Sequence, residues 1–366
     1  MKVHLITLAA FPYGSAESIH LAMFSKAMAK VCDFKLVTPS KIWRPRTFLL
    51  DTAGPYGISQ GSFRQHKHLQ LSRKGGDFIS TAMKHAVREN ALVYARQERV
   101  VAGALRAGLP CVWEIHSLPN AGAIRMLARG FQTGLLRRVV VISDALRSDI
   151  AEHLEDKALS ARIIVARDAA DCSRFLPAPG PGAARPSAGY IGSAYPGKGL
   201  EVIVPLAVRC PEVDFVLYGM QPSELSERFG NLPSNVLVKG KVQYSLVPEI
   251  MSEFDVALLP NQPSILMENG DDIGKYTSPM KMFEYMAAQK CILASDLPII
   301  REVLTDGIDS LLAPHDDLEK WALKLHQVCG SADLRETVAR NARKSFVEKY
   351  TYRARAEDVV RSLQAE

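Results

Sequence analysis

Short apolar runs rich in β-branched residues alternate along this chain with longer stretches whose apolar positions recur at helical spacing. The runs predict strands at 3–8, 33–38, 91–95, 111–115, 138–142 and 163–166. The stretches between them predict helices over 16–31, 78–89, 97–107, 120–134 and 144–154. Such alternation makes a parallel sheet covered on both faces. The pattern stops at 176–187, where four prolines and two glycines leave nothing that can pack as an element. It then restarts, with strands at 188–192, 214–218, 236–239, 255–259 and 291–294 and helices over 199–208, 245–252, 279–288, 317–328, 333–349 and 352–364. The expected fold is α/β, with two doubly wound Rossmann-like domains, 1–175 and 188–350, joined by a linker at 176–187. Ligands of open α/β sheets bind outside the strand C-termini, so two such domains are expected to face a central cleft. Residues 351–366 remain as a C-terminal helix.

Composition narrows the class. A chain of 366 residues with 47% hydrophobic content has material for two cores. The six cysteines, at 32, 111, 172, 210, 291 and 329, include no CxxC pair and read as buried thiols of a reducing compartment. The nine histidines show no HExxH spacing. The first residues run directly into Pro12 and Gly14, unlike a signal peptide, and no apolar run approaches the ~20 residues of a membrane span. The expectation is a soluble, cytoplasmic protein. The net charge of +6 is uneven, because residues 41–90 hold nine Lys or Arg against three acids, interleaved with Trp43, Phe48, Tyr56 and Phe63. Three readings compete there: contact with an anionic membrane surface, a pocket for an acidic acceptor, or a solvated loop region. Nucleic acid ranks last, since no motif for it accompanies the charge.

Four segments carry chemistry. Ser278-Pro279-Met280-Lys281-Met282-Phe283-Glu284 reads as a helix start, with Ser278 as N-cap and Pro279 at the first helical position. Lys281 stands where an acid is expected, at the positive end of the helix dipole. A lysine beside free backbone N–H groups suits a phosphate, and Glu284 further along can accept from ribose hydroxyls. The competing reading is a surface helix with a solvated lysine. Gly192-Ser193-Ala194-Tyr195-Pro196-Gly197-Lys198-Gly199 follows a strand and opens a helix, nearly as in a P-loop, but Gly199 replaces the magnesium-binding Ser or Thr. What survives is a glycine turn that backbone and Lys198 can present to a phosphate; the plain alternative is a tight turn. Pro12-Tyr13-Gly14-Ser15 is a further glycine turn after a strand. His116 ends the strand Trp113-Glu114-Ile115, at a cleft edge or in a structural role.

Taken with Asp255-Val256-Ala257-Leu258-Leu259-Pro260, Ala294-Ser295-Asp296-Leu297-Pro298 and Gly307-Ile308-Asp309-Ser310, these segments resemble a family 4 retaining glycosyltransferase of GT-B architecture. The likeness is specific over most of 188–350 and looser before it. It implies that Glu284 holds the donor ribose, Lys198 contacts the donor diphosphate, His116 lies near the donor sugar and Gly14 belongs to a first-domain glycine loop. It also implies that the C-terminal helix crosses back to the first domain. Two positions depart from the family pattern. Tyr276 stands where the first glutamate of the paired motif belongs, and Ser193 replaces the usual arginine, with Lys281 and Lys275 as candidates to restore that charge. The Ser-Pro-x-Lys arrangement resembles a subgroup of the family. The implied activity is transfer of a sugar from a nucleotide diphosphate sugar, UDP or GDP, to a glycan or lipid-linked acceptor, with retention. Gly192, Ser193, Lys198, Tyr276, Ser278, Pro279, Met280, Lys281 and Glu284 are the expected donor contacts, with His116, Lys198 and Glu284 catalytic. No cofactor and no metal are expected, because lysines and a helix end take the place of a cation and the second domain has no Asp-x-Asp. A catalytically silent nucleotide-sugar-binding protein and a nucleotide-sugar epimerase are the alternatives.

Overall fold

The computed structural model describes residues 1–9, 11, 16–41, 46–49 as backbone, 63–154, 156–182, 185–266 and 272–364. Two compact units account for them: Met1–Arg167 with Tyr352–Glu366, and Asp168–Thr351.

The first unit is built on strands β1 (Lys2–Ile6), β2 (Asp33–Ser40), β3 (Arg46–Leu49), β4 (Arg64–Leu69), β5 (Leu92–Ala95), β6 (Cys111–Ile115), β7 (Leu136–Val141) and β8 (Ile163–Val165). They form one sheet in the order β3-β4-β2-β1-β5-β6-β7-β8, parallel except for the β3 edge. Its helices are α1 (Ala16–Val31), α2 (Gly76–Glu89), α3 (Glu98–Arg106), α4 (Ala121–Gln132), α5 (Asp144–Leu154) and α6 (Lys157–Ser160). The central strands are continuous apolar runs because helices cover both faces; Val93, Val112, Val139 and Val140 have no solvent exposure.

The second unit has strands β9 (Ser187–Ile191), β10 (Asp214–Tyr218), β11 (Val236–Gly240), β12 (Val256–Leu259), β13 (Cys291–Ser295) and β14 (Leu311–Ala313), all parallel, in the order β11-β10-β9-β12-β13-β14. Helices α7 (Leu200–Arg209), α8 (Pro222–Phe229), α9 (Val247–Ile250), α10 (Met280–Ala287), α11 (Pro298–Arg301), α12 (Leu318–Cys329) and α13 (Ala332–Lys349) surround it. One core, centred on Phe215, Leu258 and Trp321, fills one side of the sheet; another, centred on Phe254, Phe283, Met286 and Phe346, fills the other. Chain order reverses between β9 and β12, which opens a crevice at their C-terminal ends.

The last helix, α14 (Tyr352–Gln364), packs on α1 and β7 of the first unit. The second unit begins at Asp168, within the span the sequence assigned to the first domain. Ala170 bridges Thr351, and Phe175 is buried in the second core. Among the described residues of the Pro/Gly stretch, 176–182 and 185–186 form no helix or strand and Ser187 already begins β9, and the start of the stretch is fastened to this unit. Ala178 N–H donates to the Ala288 carbonyl over 2.9 Å, and the buried Lys290 ammonium donates to the Ala178 carbonyl over 2.9 Å. The helix expected over 245–252 is three short pieces, 3-10 turns flanking α9, because Pro248 has no N–H to give the Tyr244 carbonyl four residues back and interrupts a continuous α ladder. Cys172 is exposed, unlike the buried thiol expected there. No described helix is long and apolar enough to cross a membrane.

Candidate functional site

In the second unit the loop after β9 and the start of α10 meet at the switch-point crevice. Lys281 has a half-buried side chain whose ammonium is out of solvent and without a hydrogen-bond acceptor. The Nζ lies 3.9 Å from the centre of the Tyr190 ring. Burial pushes this lysine well below its ordinary range, and the neighbouring Lys198 charge pushes the same way against a smaller opposing pull from Glu284. Lys198 is itself lowered by burial. Two lysines that share a desolvated corner, one of them without an acceptor, can accommodate an anion.

Glycines make the space. A Cβ at Gly192 would stand 2.7 Å from Lys281 Nζ and 2.7 Å from the Tyr190 hydroxyl. Gly199, at φ +100°, lies against the Pro260 carbonyl, 2.2 Å from where a Cβ would sit, and caps α7 in a conformation that L side chains rarely adopt. The Ser193 side chain is half-buried, and its carbonyl accepts from the Tyr190 hydroxyl over 3.0 Å.

Helix α10 begins one residue later than the sequence suggests. Pro279 is its N-cap, Met280 is its first residue, and no side-chain cap bond forms. The Ser278 hydroxyl is buried and has no hydrogen-bond partner, so it is not spent on capping. An orphaned hydroxyl at the N-terminal end of the helix that carries Lys281 can meet a ligand there. Glu284 is buried and accepts from the Tyr244 hydroxyl over 2.8 Å. Burial raises its carboxyl above the ordinary value, with Tyr244, Arg174 and Lys281 pulling the other way. Arg174 lies 4.6 Å over the Tyr244 ring and donates to the Tyr244 carbonyl over 3.1 Å. The sequence reading singled out neither Tyr244 nor Arg174, since no local pattern links them to Glu284. Tyr276 is buried, with Lys275 Nζ 5.5 Å from its ring centre.

In the first unit His116 is held on both sides. Arg96 Nη2 lies 3.0 Å from its Nδ1, and an arginine can only donate. The ring proton therefore sits on Nε2 and is donated to Glu114 Oε1 over 2.6 Å. Glu114 is 1% exposed and also faces Arg355 Nη2 at 3.3 Å and His20 Nε2 at 3.4 Å, while the Tyr94 hydroxyl donates to its other oxygen. Burial alone would raise this carboxyl; Arg355 and the two histidines outweigh it and hold it well below the usual range. The acid inside the apolar run 111–115 was the legible sign of this cluster. Its partner Arg355, on α14, was not. Gly14 lies outside the described residues. So do Arg44, Trp43 and Tyr56 of the basic segment; Arg64, Arg73, Lys74, Lys84 and Arg88 are exposed, and Phe63 is buried.

Comparison with known proteins bears on the family pattern and on the fold. Residues 185–331 match the model of a family described as glycosyl transferases group 1. A stretch of 145 residues is 30% identical to the phosphatidyl-myo-inositol mannosyltransferase of Mycolicibacterium smegmatis, covering 38% of this chain and 35% of that protein. The chain thus spans about a third of that relative's length. Over its full length it is similar in fold to Anabaena HepE solved in complex with UDP (TM-score 0.73, 15% identity, 100% of both chains). It is similar also to sucrose-phosphate synthase of Thermosynechococcus elongatus (TM-score 0.72, 14% identity, 99% and 98% covered). The fold is that of the GT-B proteins, and residues 185–331 of the second unit carry the group 1 glycosyl transferase pattern.

Proposed function

We propose that the chain is a retaining glycosyltransferase that moves a sugar from a nucleotide diphosphate sugar, of the UDP or GDP type, to a glycan or lipid-linked acceptor. The observation that carries this reading is the buried, unneutralised Lys281 beside Lys198 at the start of α10. The family pattern over 185–331 and the UDP bound by a protein of the same fold support it, as does the lipid named as substrate in the mannosyltransferase relative. In this reading the diphosphate sits against Lys198, Lys281, the Gly192 turn and the N-terminal amides of α10, with Ser278, Pro279 and Met280 lining its approach. Glu284, steadied by Tyr244, accepts from the ribose. The same positive groups stabilise charge on the departing diphosphate, so transfer needs no metal. The leaving phosphate takes the acceptor proton on the face it vacates, and His116, fixed by Glu114 and Arg96, positions the sugar.

Titration calorimetry with UDP and GDP, each beside its nucleoside, tests the reading. Lys198→Ala should weaken the diphosphate by ~1.5–3 kcal/mol, the worth of a charge-assisted hydrogen bond, and leave the nucleoside nearly unchanged. Equal losses for both would remove Lys198 from the phosphate. Tyr276 and Ser193 favour a second reading, a protein that binds the nucleotide sugar without turning it over. Product analysis with excess chelator present separates the two.

A further inference from the structure

A cluster of imidazoles in the first unit lies outside everything described so far. His66 and His68, two residues apart on β4, share one face of that strand, and His85 of α2 covers them. Ring centres are 4.3 Å apart for His66 and His68, 4.4 Å for His66 and His85, and 5.4 Å for His68 and His85. His4 of β1 stacks on His85 at 5.2 Å. His68 is 4% exposed, and both its ring nitrogens are buried without a hydrogen-bond partner. One of those nitrogens carries a proton and the other a lone pair, so a donor and an acceptor are stranded together. A native interior seldom leaves such a pair without an explanation.

We propose that His66, His68 and His85 bind one divalent transition-metal ion of the zinc class. Each offers a nitrogen, and the three lie within 4.8 Å of one another. Nitrogens ~2.0–2.1 Å from a tetrahedral zinc stand about 3.3 Å apart, a closure within reach of side-chain rotation. Imidazole donors suit zinc, copper, nickel and iron rather than calcium or magnesium. A carboxylate stands behind the ligands, as metal-bound histidines require. Glu89 Oε1 is 3.1 Å from His85 Nε2, and its Oε2 is 3.2 Å from His4 Nε2. Lys2 and Lys35 already pair with Glu89, so the carboxylate stays outside the coordination sphere and water completes it. The ion would fasten α2 to β4 inside the first unit. A search for HExxH or CxxC spacing misses it, because the donors come from separate elements.

The test uses the full chain, stripped with chelator and titrated with zinc chloride. One ion per chain is expected, with a rise in Tm. His68→Ala and His85→Ala should each weaken binding by at least ~100-fold, and Glu89→Gln by ~10–100-fold. His326→Ala, in the separate Cys210–Glu212–His326 group, should leave the affinity unchanged. Should the histidine variants fail to fold, zinc X-ray absorption of the parent decides: nitrogen and oxygen ligands with imidazole outer-shell scattering are expected, and sulfur would overturn the assignment. No heat and no Tm shift in large zinc excess would overturn it too, as would binding untouched by the substitutions in folded variants.

Discussion

Glu114 and Lys281 are both charged groups taken out of water, one in each unit, and their surroundings are opposite. Glu114 meets Arg355, His20, His116 and Tyr94, so its charge is fully answered from within the chain. Lys281 has an aromatic face beneath it, another lysine nearby and no acceptor. A buried charge whose partners come from the same chain belongs to the folded scaffold. One left without partners costs stability until something from outside supplies them. The contrast sets residues that hold the first unit in shape apart from those that, in the proposed function, meet the ligand in the second.

The largest test breaks the answered side. Arg355→Ala leaves the Glu114 carboxylate buried against fewer cations and should cost the first unit ~3–5 kcal/mol, read from urea unfolding. A loss below ~1 kcal/mol would mean that the pair is solvated and the contrast false.

Acid tests the same unit through its histidines. His4, His66 and His68 titrate near 6.5 when unfolded and at about 4 when folded, so the folded state binds fewer protons between these values. Stability contributed above about 6.5 is therefore lost as pH falls toward about 4. For one such histidine the full loss is ~3 kcal/mol. Unfolding midpoints of the metal-stripped chain measured across this window should drop steadily, and a flat profile would remove the buried neutral rings.

On the unanswered side, Lys281→Met should weaken nucleotide diphosphate by ~1.5–3 kcal/mol while leaving the ligand-free protein as stable as the parent or more so. Calorimetry and thermal melts of the same samples give both numbers. A variant that binds normally and melts early would place Lys281 with Glu114, among structural charges.

The smallest effect expected is that of Tyr276→Phe. Nucleotide affinity should stay constant, and transfer or donor selectivity should fall by ~0.5–1.5 kcal/mol, one neutral hydrogen bond. Identical turnover and selectivity would show that the hydroxyl makes no useful contact with the sugar.

Much of this is legible in the sequence. β6 and β10 begin and end where the sequence predicts, because a strand buried on both faces reads as a nearly continuous apolar run. β4 was invisible: Arg64-Gln65-His66-Lys67-His68-Leu69 has no β-branched residue, and its pairing with β2 decides its form. In the second unit the Lys198 turn and the α10 start were readable because the groups that make them are neighbours in sequence. Tyr244 on Glu284 and Arg355 on Glu114 were not, since side chains distant in sequence meet only through the tertiary fold. The misplaced cap has the same origin: Ser278 is the right residue type for a cap, but the helix starts at Met280 and leaves the hydroxyl to the crevice.

The return of α14 to the first unit has a consequence in time. Everything between Arg167 and Tyr352 must be synthesised before Arg355 exists. At about 5–20 residues per second that wait is roughly ten to forty seconds, long enough for the nascent second unit to fold first. Through that interval Glu114 lacks its arginine, and the earliest part of the chain to emerge is the last to be finished.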